Sequence, residues 1–204
     1  SAASDVYKRQ LVHIYITVCF LHLFVIYLYR KVIKMTHDDE FNTIIKDIID
    51  NPYVLDMKNF RQHCDTSTFE HSYKVAYISY KICKKLNLDY KSVARAGMLH
   101  DFYLYDWRIK SSWHRWHAFK HGRFASINAC KLFDLSNKEI DMIKKHMWPV
   151  TPIPPKSIEG FILTFADKYS ASIESLDYYR KMLSKNQNYM YAKALLWMFL
   201  FKLK

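Results

Sequence analysis

The 204-residue chain is long enough to form one domain with a sizeable core, and its composition points away from sheet-rich folds. It contains 3 glycines and 5 prolines, fewer turn-forming residues than closely spaced strands and hairpins require. The formal net charge of +12 favours an anionic partner, but the sequence has neither a dense lysine or arginine run nor a nucleic-acid-binding motif, so we expect no nucleic-acid partner.

The first 34 residues form a segment that we treat separately. Residues 11–29 are a 19-residue run without a formal charge, bounded by basic residues and long enough to cross a bilayer once. The sequence after Met35 reads as the start of a soluble domain, and residues 1–10 resemble translated adaptor sequence. We therefore interpret residues 1–34 as a non-native extension or a single membrane anchor, and expect a membrane partner only if the apolar run is native.

Residues 35–204 are predicted to form one domain. Apolar residues recur with helical spacing in segments that are separated by short polar or proline-containing turns. The predicted elements are helices over 38–50, 67–86, 90–100, 120–133, 138–147 and 157–175, a short helix or turn over 53–62, an irregular aromatic loop over 102–116, and one or two helices over 177–204. The pattern predicts an all-α bundle of about seven helices. Four scattered cysteines without CxxC spacing favour a reduced, cytoplasmic protein.

Six potential metal ligands lie at helix ends or inside apolar segments: His71, His100, Asp101, His121, His146 and Asp167. Imidazole and carboxylate suit Fe, Mn, Co, Ni or Zn, and the absence of thiolates from this set argues against a structural zinc site. Any one of the histidines, taken singly, is more often a core residue than a ligand. Asp167 is the strongest single case, because an aspartate in an apolar helix is costly to bury unless a partner or a metal compensates its charge.

The order of these residues resembles a known family. His71, then His100-Asp101, then Asp167 is similar to the defining pattern of the HD-domain superfamily of metal-dependent phosphohydrolases, and the flanking segments TFEHSYKVA, AGMLHDF, FKHGRFA and IKKHMWP resemble a bacterial subfamily of HD hydrolases. The resemblance covers roughly residues 58–176. It implies an HD-domain helical bundle that hydrolyses a phosphoester or phosphoanhydride, with an anionic, nucleotide-like small molecule as the substrate.

The metal content implied by the resemblance is two divalent transition-metal ions, since His121 and His146 are similar to the extra histidine pair of the binuclear branch. Two ions about 3.5–4 Å apart can share a hydroxide and hold a phosphate for in-line attack. In this interpretation Asp101 is the catalytic residue: it bridges the ions and orients the metal-bound hydroxide that acts as the nucleophile.

The sequence also departs from the family pattern. Many HD phosphohydrolases have a phosphate-contacting lysine three residues after the HD aspartate, and here that position is Leu104; Cys64 stands where the subfamily suggests glycine. The candidate substrate-binding residues are Lys120, Arg123, Arg108, His117 and His63. Each has an ordinary alternative, because surface cations are usually solvated and loop histidines often only stabilise a turn. Four tryptophans, Trp107, Trp113, Trp116 and Trp148, either stack on a nucleobase or pack in the core.

Two other functions stay open at this point. A non-catalytic HD module that binds a metal and a nucleotide is favoured by the missing lysine, and turnover of generic phosphodiesters would distinguish it from an enzyme. An HD-type oxygenase with a di-iron site is the second alternative, because the same scaffold supports that chemistry.

Overall fold

The computed structural model describes residues 38–63, 65–107 and 116–185 of the chain. Within this part the elements are α1 (Asp39–Ile44), α2 (Lys46–Ile49), α3 (Pro52–Leu55), a short 3-10 helix (Asp56–Asn59), β1 (Arg61–His63), β2 (Thr66–Ser67), α4 (Thr68–Lys85), α5 (Tyr90–Leu99), α6 (His117–Leu132), α7 (Asn137–Lys145) and α8 (Ile158–Ser184). The predicted all-α class is therefore confirmed.

Contacts along the chain separate residues 1–40 from residues 41–204. Of the first unit, only residues 38–40 belong to the described part. The apolar run over 11–29, and with it the choice between an extension and an anchor, lies outside the described residues. Among the described helices, none combines the length and the apolarity needed to cross a membrane.

Side-chain caps fix where the helices that carry the site begin. The Ser67 side chain accepts a hydrogen bond from the Glu70 backbone N–H while the Glu70 carboxylate accepts one from the Ser67 N–H, and α7 starts with the same reciprocal arrangement. Asp89 and Ser157 cap α5 and α8 in a simpler way, each through one bond from a backbone N–H in the first turn. Because the caps set the first residue of each helix, they also set which face each later residue occupies.

The core lies where α4 packs against α5 and α8. Val75, Ala76 and Tyr80 of α4 are fully buried there. At Gly97 of α5 an added Cβ would lie 2.6 Å from the Cα of Ala76, so only glycine allows the two backbones to come this close. This close approach brings the end of α5, and the residues that follow it, against the first turns of α4.

Four details differ from the sequence-based elements. The helix over 38–50 is broken at Ile45 into α1 and α2, and a two-stranded antiparallel hairpin, β1–β2, precedes α4 where no strand was predicted. The sixth helix starts at His117 rather than 120, after Trp116 in a left-handed conformation with φ of 70°. The last described helix continues unbroken to Ser184, because nothing between 175 and 184 is a proline or glycine that would end it.

Candidate metal centre

The six predicted ligand residues lie together in one buried cluster. His71 is in the first turn of α4, His100 and Asp101 follow the last residue of α5, and Asp167 lies in the middle of α8. His121 is in the second turn of α6 and His146 directly follows α7. All six are at most 7% exposed. Four helix ends and one helix middle thus bring together residues that are up to 96 positions apart in sequence.

Three overlapping groups in this cluster have ligand atoms within 4.8 Å of one another. The groups are His71–His100–Asp101, His100–His146–Asp167 and Asp101–His121–His146. Each group combines imidazole nitrogen with carboxylate oxygen, a donor set that suits divalent transition metals. Because the groups share members, the cluster offers more ligands than one four-coordinate ion uses.

Asp101 lies between two sets of histidines. Its Oδ2 atom is 3.3 Å from His100 Nε2, whereas its Oδ1 atom is 3.3 Å from His121 Nε2 and 3.7 Å from His146 Nε2. His71 and Asp167 extend the first set, with 3.1 Å between His71 Nε2 and Asp167 Oδ1. The two oxygens of one carboxylate therefore face different histidines.

The backbone fixes the orientation of three of the four histidine rings. In each, Nδ1 faces a carbonyl oxygen of the same helical segment, and a carbonyl can only accept, so Nδ1 carries the proton and donates it. The Nδ1–O distances are 2.7 Å from His100 to Gly97, 2.9 Å from His121 to His117 and 2.8 Å from His146 to Ile143. In its neutral form each of these rings presents the Nε2 lone pair, the one that binds metal, to the cluster.

Two atoms at the centre of the cluster lack a hydrogen-bond partner. His100 Nε2 and Asp101 Oδ1 are both buried and unsatisfied, and leaving such groups unpaired costs about 1–3 kcal/mol each. Ligand atoms about 2.0–2.2 Å from a common ion lie roughly 3–3.5 Å apart, close to the 2.8 Å between His121 Nε2 and His146 Nε2. The donor types, the orphaned atoms and the separations all fit bound divalent metal.

The carboxylates of the cluster stay ionised despite their burial. Burial raises the pKa of Asp101, but the neighbouring His100, His121 and His146 outweigh it and hold that pKa well below its usual value. The same holds for Asp167. Burial raises its pKa, but the larger effect of His100 and His71 lowers it well below the usual value. Two buried carboxylates thus remain negative, as ligands of a cation must be.

The histidines of the cluster divide into two kinds. Burial lowers the pKa of His71, but hydrogen bonds with Asp167 and Glu174 outweigh burial and raise it to about 9. His100 behaves in the same way. Burial lowers its pKa, but Asp101 and Asp167 outweigh burial and raise the pKa to about 10. For His146 burial and the neighbouring histidines act together and lower the pKa to about 3. The neighbouring carboxylates thus favour the protonated form of His71 and His100, whereas burial and the neighbouring histidines favour the neutral form of His146.

Four residues beside the cluster were not predicted from sequence. Glu174 accepts from His71 Nδ1 at 3.1 Å, and Lys74 Nζ lies 3.1 Å from its other oxygen. Gln62, in the middle of β1, donates from Nε2 to Asp101 Oδ2 and accepts from the Tyr103 hydroxyl. Glu174 lies seven residues after Asp167, two helical turns along the same face of α8, and this spacing was an available signal. Gln62 and Tyr103 stand outside helices and have no such periodicity.

A cavity of about 380 Å³ opens beside the cluster. Asp101, His121, His146 and Asp167 reach it from the cluster, and the rest of its lining comes from Gln62, Trp107, His117, Ala118, Met147, Val150, Lys168 and Ala171. The indole of Trp107 stacks on the His117 ring, with 5.5 Å between centroids and 14° between planes. The volume is at the small end of the range of roughly 300–1,000 Å³ typical of ligand pockets.

The candidate substrate-binding residues are placed in different ways. His117 lines the cavity, and its Nδ1 lies 2.9 Å from the Tyr105 hydroxyl. Lys120 and Arg123 on α6 are exposed and do not belong to the cavity lining. Arg108, Trp113, Cys64 and the side chain of His63 lie outside the described residues. Leu104 has a left-handed backbone with φ of 55° and does not line the cavity either.

Comparison with known proteins gives one match. A family model described as "HD domain" matches residues 68–172, slightly more than half of the chain. The matched range begins at the first residue of α4 and ends in α8 five residues after Asp167, so it includes all six residues of the cluster. The comparisons with curated proteins and with solved structures gave no match.

Proposed function

The chain belongs to the HD domain family, and from that premise we propose that it is a metal-dependent phosphohydrolase with two divalent transition-metal ions per chain. The substrate class is a phosphoester or phosphoanhydride of a small, nucleotide-like molecule. The proposal is carried by one observation: the two oxygens of the buried, ionised Asp101 face two separate sets of histidines.

This geometry supports two ligand sets. We assign one ion to His71, His100, Asp167 and the Oδ2 side of Asp101, and the second to His121, His146 and the Oδ1 side. The ions, of the Fe, Mn, Co, Ni or Zn type, would lower the pKa of a bound water and neutralise negative charge on the phosphoryl group.

The chain's own residues orient the reaction. Gln62 donates to one Asp101 oxygen and so fixes the plane of the carboxylate, and the Tyr103 hydroxyl in turn fixes the Gln62 amide. Asp101 is 1% exposed, so bulk water does not compete for its oxygens. In the proposed mechanism Asp101 would orient the attacking water, whose proton would be released to solvent because the ions lower its pKa, and the carboxylate would remain unprotonated.

The cavity supports a nucleotide-like substrate. The cluster contributes the polar part of its lining, and Met147, Val150 and Trp107, which stacks on His117, contribute apolar surface. An aromatic ring beside a phosphate-binding centre offers a surface on which a planar base can stack. The formal charge of +12 agrees with an anionic substrate.

A substrate panel tests the proposal. Nucleoside monophosphates, nucleoside triphosphates, dinucleoside polyphosphates, cyclic dinucleotides and generic phosphodiesters are incubated with protein loaded with Mn²⁺, Fe²⁺, Co²⁺ or Ni²⁺, and phosphate or nucleotide release is measured. We expect turnover of at least one nucleotide class that chelator abolishes and added metal restores. Metal-loaded protein that binds nucleotides without turning any over would instead support the regulatory module.

A further inference from the structure

Lys168 on α8 contributes the only lysine or arginine side chain to the described lining of the cavity beside the metal centre. It directly follows Asp167, and its side chain is 39% exposed. Its Nζ atom donates to the His146 carbonyl oxygen at 3.1 Å and lies 3.4 Å from Asp167 Oδ2. The ammonium group thus stands at the edge of the cluster, where the cavity begins.

The two contacts fix this position without using all of the group's donors. A lysine ammonium has three N–H donors and no acceptor. Two of them donate to the His146 carbonyl and to Asp167, so one donor remains. Both acceptors belong to residues that we assign as metal ligands. The remaining donor is available to a group in the cavity, because Lys168 also belongs to the cavity lining.

A phosphoryl group bound at the centre needs positive charge on its outward-facing oxygens as well as on those facing the metals. Leu104 supplies no charge, and Lys120 and Arg123 are exposed and outside the cavity lining. The other polar side chains of the lining do not supply this charge. The cavity histidines face the cluster or Tyr105, and the neutral Gln62 amide donates to Asp101.

We propose that Lys168 is the phosphate-binding cation of this site: its ammonium group donates to a non-bridging oxygen of the substrate phosphoryl group. This inference rests on the proposed function for its substrate, but the binding of phosphate itself does not depend on turnover. Lys168 acts by direct contact with the substrate. Its contact with Asp167 keeps the ammonium group beside the metal centre.

The test compares Lys168→Met and Lys168→Arg with wild type, with Lys181→Met as a matched control on the exposed surface of the same helix. The affinity of the metal-loaded protein for inorganic phosphate is measured by calorimetry, and metal content is determined on the same samples. We expect Lys168→Met to weaken phosphate binding by at least about tenfold at unchanged metal content. Lys168→Arg should recover part of the loss, and Lys181→Met should change neither value.

With a substrate from the panel, the Lys168→Met variant should raise KM more than it lowers kcat. Phosphate affinity that is unchanged in Lys168→Met, or that falls only in Lys120→Met, would overturn the assignment. Loss of metal together with phosphate binding in both Lys168 variants would also overturn it, because Lys168 would then only hold Asp167. If no substrate is turned over but phosphate binding depends on Lys168 as predicted, the hydrolase proposal fails while this inference stands.

Discussion

Glu174 Oε2 lies 3.1 Å from His71 Nδ1, and both side chains are almost completely buried. The two residues are 103 positions apart and belong to α4 and α8. His71 Nδ1 therefore faces a carboxylate, whereas Nδ1 of the other three cluster histidines faces a backbone carbonyl. A carboxylate partner makes the opposite ring nitrogen a stronger ligand. Glu174 on α8 therefore both orients His71 on α4 and makes its Nε2 atom a better ligand.

Replacing Glu174 by glutamine should weaken metal binding. The amide keeps the size of the side chain but loses the charge that makes His71 a better donor, and loss of such a partner costs roughly 10–100-fold in metal affinity. The measurement is a competition titration against a metal chelator. Glu159→Gln is the matched control, since it changes another buried glutamate on α8 that binds Lys138 rather than a histidine. If both substitutions lowered metal affinity equally, the contact between Glu174 and His71 would have no specific role in metal binding.

The number of metal ions should respond differently to the two histidine sets. Wild-type protein should hold up to two ions, and His121→Ala or His146→Ala should lose one, because both residues face the Asp101 Oδ1 side. His71→Ala should disturb the other ion. Elemental analysis of protein purified without chelator gives the count. A wild-type count that stays at one with added metal would make His121 and His146 cavity residues rather than ligands.

Substituting Gly97 by alanine should lower the stability of the metal-free protein. The new Cβ would stand 2.6 Å from the Cα of Ala76, and this backbone cannot rotate away as a side chain could. We expect a loss of about 1–3 kcal/mol in the free energy of unfolding, the usual cost of overpacking. Urea denaturation measures it, with Lys91→Ala on the exposed side of α5 as the control. An unchanged denaturation midpoint would mean that α4 and α5 separate at little cost.

The ion pairs around Lys138 predict a pH-dependent stability away from the metal centre. Lys138 Nζ lies 2.9 Å from Glu159 Oε1 and 3.2 Å from Asp89 Oδ2. For both carboxyl groups burial raises the pKa, but their hydrogen bonds, including those from Lys138, outweigh it and lower the pKa below the ordinary value. Groups with a lowered folded-state pKa contribute stability above their unfolded pKa and lose it as pH falls.

The test is the difference in unfolding free energy between wild type and Lys138→Met. We expect about 1 kcal/mol near pH 7, since Lys138 and Asp89 are partly exposed and solvent weakens their attraction. The difference should shrink between roughly pH 5 and pH 3, as Asp and Glu take up protons. Because the pKa of Lys138 is raised, its own contribution should be retained through neutral pH and fall only at strongly alkaline pH. A difference that grows on acidification would contradict the assignment.

The sequence predicted the helices that carry the cluster, because their ends are marked by strong local signals. Ser67 with Glu70 and Ser136 with Glu139 are capping pairs recognisable without a structure, and apolar periodicity follows each. His100 and His146 follow the last residue of a helix, so their positions depend only on where that helix ends. A correct prediction of the helix end therefore also gives the correct position of such a residue.

What the sequence did not reveal depends on contacts between distant segments. Gln62 reaches Asp101 from a short hairpin whose first strand packs against α4 and α8, and strands of two or three residues leave no periodic pattern. The predicted cation candidates Lys120 and Arg123 stand close to His121 in sequence, but they lie on the exposed side of α6. The sequence does not single out Lys168, because a charge next to an apolar helical run usually faces solvent.

The catalytic claim depends most on Asp101, which contacts both histidine sets. Removing its carboxylate should weaken metal binding and release the attacking water at the same time. We therefore expect Asp101→Ala to lower turnover by at least about 10³-fold, equivalent to roughly 4 kcal/mol of transition-state stabilisation. Asp101→Asn should be nearly as harmful, because a neutral amide is a poor bridging ligand. Asp106→Ala, five residues later and outside the cluster, should cost far less.

The most direct measurement is kcat/KM of wild type, Asp101→Ala and Asp106→Ala on the best substrate of the panel, with folding checked by circular dichroism. The two-metal account predicts a folded Asp101→Ala protein whose activity is at least about 10³-fold lower, beside a nearly normal Asp106→Ala protein. A folded Asp101→Ala protein that retains more than about a tenth of wild-type activity would contradict the account.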